Sequence, residues 1–162
     1  MKLFTQSLLD ELSARASSSP RLRAHHNVHL SPADLVQRFF VVAAAGSYFR
    51  PHRHASRAEL AMVIRGQLEV LTFDDAGCLT ARYHVGSGTP NLGFETPQGT
   101  WHTLLVTSED AAFLELKEGP YDPATISEFA AWAPAEGHES VRSYQQWLRQ
   151  AQPGSAPPEL PA

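Results

Sequence analysis

The residues best placed to do chemistry lie between Gly46 and Gly66, in the run GSYFRPHRHASRAELAMVIRG. His52 and His54 stand two apart, and Glu59 follows five residues later. On an extended strand from Tyr48 to His54, alternation puts both imidazoles on one face, and Glu59 returns on the neighbouring strand. Further on, Pro97-Gln98-Gly99-Thr100-Trp101-His102 brings a third imidazole at the head of another β-rich run. His52, His54, His102 and Glu59 make a donor set for one divalent transition metal, with positions left for water or substrate. Imidazole and carboxylate suit iron, zinc, manganese, nickel and cobalt, so the spacing does not choose among them. Glu59 either ligates or hydrogen-bonds a ligating imidazole or a bound water. The histidines must be neutral to bind, so occupancy is expected to fall as pH drops below their free value near ~6.5.

Around this set lie candidates for binding and proton transfer. Arginine outnumbers lysine eleven to two. Arg50 has the parity of His52 and His54, and Arg38 sits in the preceding strand. Each is weighed as a bidentate ligand for a substrate carboxylate, phosphate or vicinal oxygens against an ordinary surface arginine. Arg53 and Arg57 are expected at the surface or paired with glutamate. Tyr48, on the same parity, is a candidate acid, base or hydrogen-bond donor, although a tyrosine in a strand more often packs. Glu115 and Lys117 share one face of the last strand. Pointing inward they belong to the site, because charges inside a barrel are costly unless paired; pointing outward they form a surface pair of little worth. Glu59, Glu115 and Tyr48 are thus the candidates for proton movement, and Arg50, Arg38 and Lys117 those for holding substrate.

The elements that must position these residues are mostly strands. Leu35–Val42, Tyr48–His54, Glu59–Arg65, Leu68–Phe73, Leu79–Val85, Leu92–Thr96, Trp101–Val106 and Ala112–Lys117 read as short strands. Gly66-Gln67 suits a hairpin, and Asp74–Gly77 suits a second turn. Closing them into a double-sheet jelly roll over residues 31–120 removes the exposed edges. Residues 1–30 supply an amphipathic helix, with Phe4, Leu8, Leu12 and Ala16 as its stripe and Ser7 with Asp10 as its cap, then the basic connector RLRAHHNVH. That connector either holds an anion, lends a histidine to the cleft, or is simply solvated. Residues 121–150 predict two helices. The first starts at Asp122-Pro123 and buries Ile126, Phe129 and Ala130; the second buries Val141, Tyr144, Trp147 and Leu148. Residues 151–162, PGSAPPELPA with its lead-in, predict a disordered proline-rich tail.

With 162 residues the chain suits one domain, and a net charge of -4 gives no reason to expect nucleic acid as a partner. Cys78 is the single cysteine, so no intrachain disulfide forms and a reducing compartment fits. No apolar run reaches membrane-spanning length, and Asp10 and Glu11 interrupt any signal-peptide core, so the expected location is cytoplasmic with no membrane partner.

Glycine, five residues, His-x-His, four residues, glutamate, six residues, glycine: from Gly46 to Gly66 the chain resembles the first motif of the cupin superfamily at every position. The second motif is met at Pro97, Gly99 and His102, while its leading glycine falls on Asn91 and its closing asparagine on Val106. More narrowly, RPHRH, TWHT, ELKEGPY from Glu115 and FAAWAPAEG from Phe129 are similar to the WbuC family of cupin-fold metalloproteins, over about Arg21 to Gly137. The resemblance implies an all-β double-stranded β-helix with short terminal helices, one divalent transition metal, and pairing as a homodimer. It associates the chain with bacterial O-antigen and other surface-polysaccharide clusters. The expectation is a metal-dependent isomerase, epimerase or hydrolase acting on a small oxygen-rich molecule such as a sugar or sugar nucleotide. An Fe(II) dioxygenase and a non-catalytic metal or sugar-binding module are the alternatives.

Overall fold

The structure is a computed structural model and describes residues 1–160. Its strands are β1 (Arg23–Asn27), β2 (Val36–Ala44), β3 (His52–Arg53), β4 (Glu59–Phe73), β5 (Leu79–Gly86), β6 (Gly93–Thr96), β7 (Trp101–Glu118) and β8 (Glu128–Phe129); its helices are α1 (Gln6–Ser18) and α2 (Val141–Gln150). All pairings are antiparallel. β4 and β7 run alongside each other for most of their length and belong to both layers of the barrel. One layer runs β1, β2, the second half of β7, the first half of β4, β6; the other runs β8, β3, the first half of β7, the second half of β4, β5. The all-β jelly roll expected from the alternation is present.

The hairpin expected at Gly66-Gln67 is not. β4 passes straight through it, with irregularities between Val63 and Arg65 and between Gly66 and Leu68. Gly66 has φ +74°, and a Cβ there would lie 2.1 Å from the Asp110 carbonyl oxygen. A bulge lets the strand turn from one layer into the other while keeping β7 as its partner, which a hairpin would forfeit. Trp101–Val106 and Ala112–Lys117 join into β7 for the same reason.

Alternation then sorts the side chains into three apolar layers. Val41, Leu68, Val70, Leu104 and Phe113 fill the space between the sheets. Leu9, Leu12 and Ala16 of α1 cover Phe40, Val42 and Ala112 on one outer face. Tyr144 and Leu148 of α2 cover Leu71, Phe73 and Leu105 on the other. Of the expected α1 stripe Leu12 and Ala16 are buried and Leu8 packs beside them, but Leu9 is buried as well while Phe4 is 45% exposed, and the N-cap is Thr5, whose hydroxyl accepts the Leu8 N–H.

Three further expectations change. The basic connector is a strand, β1, whose backbone completes the edge beside β2. The helix expected from Asp122 is a single turn: the Thr125 and Ile126 amides bond the Asp122 carbonyl, and the chain then extends. It extends because Phe129 and Glu128 pair with His52 and Arg53, and the Ala130 N–H donates to the Pro51 carbonyl. The proline-rich tail is anchored at its start. Ala151 is buried, the Leu79 N–H donates to the Ser155 carbonyl at 2.9 Å, and the Gly154 N–H returns to the Leu79 carbonyl at 2.7 Å. Residues 161 and 162, the end of that expected tail, lie outside the described residues. Among the described residues no helix is long and apolar enough to cross a membrane.

Candidate metal centre

One end of the space between the sheets is polar, and the pairing of β3 with β7 builds it. His52 and His102 are register partners with ring centroids 4.4 Å apart. His54, one residue past β3, places its ring 5.1 Å from His52 and 5.6 Å from His102. One ring nitrogen from each lies within 4.8 Å of the other two. Alternation on a long strand, the expected device, is not what aligns them, since β3 is only two residues long and Tyr48–Pro51 is not strand.

Backbone carbonyls set the tautomers. The Nδ1 of His52 meets the Arg50 carbonyl at 2.9 Å, that of His102 the Thr100 carbonyl at 2.9 Å, and that of His54 the Ile126 carbonyl. A carbonyl only accepts, so each Nδ1 carries the proton and each Nε2 presents its free side to the centre. The His102 Nε2 is buried with no hydrogen-bond partner. His54 shares the Nδ1–carbonyl contact and differs at Nε2, which lies 2.9 Å from the Glu59 carboxylate. Between that nitrogen and that oxygen a cation belongs, whether a proton or a metal ion. The donor set therefore fits a divalent ion on three imidazoles, with Glu59 beside it.

Burial, and after it the neighbouring His102, lowers the His52 pKa to about 3, and burial lowers that of His102 as well. Both rings are neutral at neutral pH, as ligation requires. A value near ~6.5 belongs to a solvated imidazole, and burial moves the proton competition at His52 and His102 below it.

Behind the histidines runs a buried chain of charge. The Lys117 ammonium donates to Glu59 at 2.8 Å and approaches Glu115 Oε1 to 2.6 Å. Register explains the meeting, because Glu59 pairs with Lys117 and Ala61 with Glu115, so all three side chains enter the barrel. Burial alone would raise Glu59, but the His54 bond and the Lys117 charge hold it well below the usual carboxylate range. Glu115 goes the other way: burial first, then the Glu59 charge, push it up to about 8. Lys117, despite burial, is held above its ordinary value by the two carboxylates.

Of the remaining candidates, Arg50 is at the site. It lines the same cavity of about 270 Å³ as His52, His102, Glu59, Glu115 and Lys117, donates to the Ala130 carbonyl at 2.7 Å, and leaves its Nε buried without a partner. Arg38 is not. It alternates with Gln37 and Phe39, which face the barrel interior, and its guanidinium reaches Asp34 at 3.8 Å. Tyr48 is not either. It sits in the layer under α2, its hydroxyl donates to the Pro134 carbonyl at 2.9 Å, and burial raises its pKa. Arg53 pairs with Glu128 through two bonds and lies over the Trp101 ring, while Arg57 holds the Glu118 and Pro120 carbonyls.

Two further contributors come from β1, for which a histidine lent to the cleft was one of the expected alternatives, and from the strap after Asp122, which was expected to be a helix. β1 presents Arg23 and His25 to the metal-side cavity, and their alternation within the basic stretch was the available signal. The strap from Ile126 to Ala130 supplies carbonyls to His54 and Arg50 and lays Phe129 6.0 Å from the His52 ring. Its helix-like residue pattern concealed that.

The fold recurs in solved proteins. An oxalate oxidase in complex with the substrate analogue glycolate aligns with a TM-score of 0.54 at 22% identity, over 70% of this chain and 57% of its own. The capsular polysaccharide assembling protein CapF from Staphylococcus aureus aligns at 0.58 and 17%, over 68% of this chain and 32% of its own. Protein SO0799 from Shewanella oneidensis aligns at 0.53 and 15%, over 83% and 87%. These are cupin-fold proteins, and at such identities the likeness establishes the fold. The chain spans little more than half the length of the oxalate oxidase and about a third of CapF. No curated protein matches it. A family model does: it covers residues 4–85, half of the chain, and places this protein in the family described as Domain of unknown function (DUF6016).

Proposed function

We propose that this cupin is a metal-dependent enzyme acting on a small oxygen-rich substrate, a sugar or sugar nucleotide, by isomerisation, epimerisation or hydrolysis. The observation that carries the metal is the convergence of three imidazoles whose Nδ1 atoms are committed to carbonyls, leaving the His102 Nε2 buried and unpartnered. A divalent ion on His52, His54 and His102, with Glu59 as a fourth donor or as the acceptor beside His54, would gather two substrate oxygens and acidify a hydroxyl or water.

The chain's own groups do the rest. Arg50, with Nε unspent, binds a carboxylate, phosphate or oxygen pair at the cavity wall. Glu115, titrating near neutrality, holds or takes a proton, and Lys117 keeps its charge balanced against Glu59 in either state. Phe129, Ile126 and Ser127 of the strap form the wall of that cavity beside the His52 ring.

The polysaccharide context rests on the resemblance of residues 21–137 to the WbuC family; CapF, which shares the fold, is a capsular polysaccharide assembling protein. Pairing as a homodimer through outer sheet faces and a cytoplasmic location likewise come from resemblance and sequence, and light scattering tests the first. The catalytic proposal is tested by incubating metal-loaded protein with a panel of hexoses and nucleotide sugars in deuterated water. Deuterium entering a carbon position, and failing to do so with Glu115→Gln, is the expected result; no exchange and no hydrolysis across the panel would contradict it. The same three imidazoles suit iron-dependent oxygen chemistry, and oxygen consumption with a substrate would put that reading first.

A further inference from the structure

Beside the metal-side cavity opens a second of about 300 Å³, and the two share His25, Phe39, Lys117, Tyr121 and Ile126, so they are lobes of one cleft. Their chemistry differs. The first carries Arg50 and the histidine cluster, whereas the lining of the second contains no guanidinium and no carboxylate. Its one lysine, Lys117, is already bound by Glu59 and Glu115. An anionic group placed there would lose its hydration and find no free counter-charge.

What the second lobe does offer is aromatic surface with a few neutral polar groups. Phe39 is only half buried, and the His29 ring meets it edge-on at 6.3 Å. Register sets Asn27 opposite Phe39 and Gln37 opposite Lys117, which turns both amides to the same interior face. The Gln37 amide nitrogen is spent on the Pro32 and Asp34 carbonyls, leaving its oxygen as an acceptor. Tyr121 closes the lobe and is 48% exposed. An uncharged flat ring matches this set: its face gains from Phe39 and its edge from the amides.

Resting on the reading of the metal side as the place where substrate oxygens bind, we infer that the substrate also carries an uncharged planar ring, an aryl group or a nucleobase, that stacks on Phe39 in the second lobe. A bare two-carbon acid would leave this lobe unfilled.

The probes are lactate and 3-phenyllactate, which share a hydroxyl and carboxylate and differ by a phenyl ring. Isothermal titration of the zinc-loaded full chain is expected to show phenyllactate binding at least about tenfold tighter, as burial of one phenyl ring predicts. The ratio of the two affinities should collapse toward one in Phe39→Leu and in Tyr121→Ala, the latter at an exposed position that leaves the barrel intact. Equal affinities in the native chain, a ratio that survives both substitutions, or no binding of either acid at millimolar concentration would overturn the inference. The same titration with His102→Ala separates the two readings. A ring preference that persists while lactate binding ignores His102 removes the metal-side reading and keeps the lobe. His102-dependent lactate binding without a ring preference removes the lobe and keeps the metal side.

Discussion

His52 and His102, fifty positions apart in the sequence, are register partners across β3 and β7, with their ring centroids 4.4 Å apart. One strand pairing therefore joins the two halves of the donor set. None of the three histidines belongs to the apolar layer between the sheets, which Leu68, Val70, Leu104 and Phe113 hold together. His52→Ala with His54→Ala is accordingly expected to abolish metal binding and keep the far-ultraviolet circular dichroism of the barrel. Full metal content in the double variant would show that the ion sits elsewhere.

Lys117 is the one cation between two buried carboxylates. Lys117→Met takes the ammonium from both and leaves Glu59 with His54 alone, and the expected loss is up to about 3–5 kcal/mol, the usual cost of leaving a buried charge without its partner. Adding Glu115→Gln should restore part of that loss, because one of the two carboxylates is then gone. Urea unfolding of the metal-free single and double variants checks this, and strict additivity would argue that the groups do not interact.

Glu115 also gives the metal-free protein a signature in pH. Its folded pKa of about 8 exceeds the ordinary 4.5, so the folded state holds a proton that the unfolded state has released. The associated stability is fully present below 4.5 and is lost as pH rises through 8. His52 and His102 act in the opposite sense and in another window: their lowered values cost stability only as pH falls below ~6.5, where the unfolded rings protonate first. Between about pH 6.5 and 8 the Glu115 slope stands alone. Melting temperature should fall across that interval in the native chain and stay flatter in Glu115→Gln, by differential scanning fluorimetry without metal.

Much of this was legible in the sequence, and the exceptions share a cause. His52, His54, Glu59 and His102 announce themselves because donor residues at fixed spacing have few other uses. The inward pair Glu115 and Lys117 was legible as a conditional, settled once β7 took its register. Tyr48 and Arg38 misled because parity was counted along strands whose extent only tertiary pairing decides: Tyr48 precedes β3 and packs under α2, and Arg38 falls on the outer face of β2. The segment after Asp122 carries a good helix start and an apolar spacing, yet its backbone is drawn out by β3, an override no local pattern records.

The tail is the plainest case of composition outweighed by backbone bonding. Truncation after Gln150 removes buried Ala151, the two bonds between Leu79 and residues 154 and 155, and one of the carbonyls held by Arg82. At roughly 0.5–1.5 kcal/mol per bond, the expected cost is about 1–3 kcal/mol and several degrees of melting temperature. An unchanged thermal transition in the truncated chain would place the segment among loose tails after all.

The most direct test of the metal centre is metal content by mass spectrometry on protein purified without added metal or chelator, for the native chain and for His102→Ala. The arrangement of three Nε2 atoms predicts about one equivalent of a divalent transition metal in the native chain and its loss in the variant, with the barrel still folded. The same equivalent retained by His102→Ala, or none in either protein even after incubation with zinc, manganese, nickel or iron, would contradict the account.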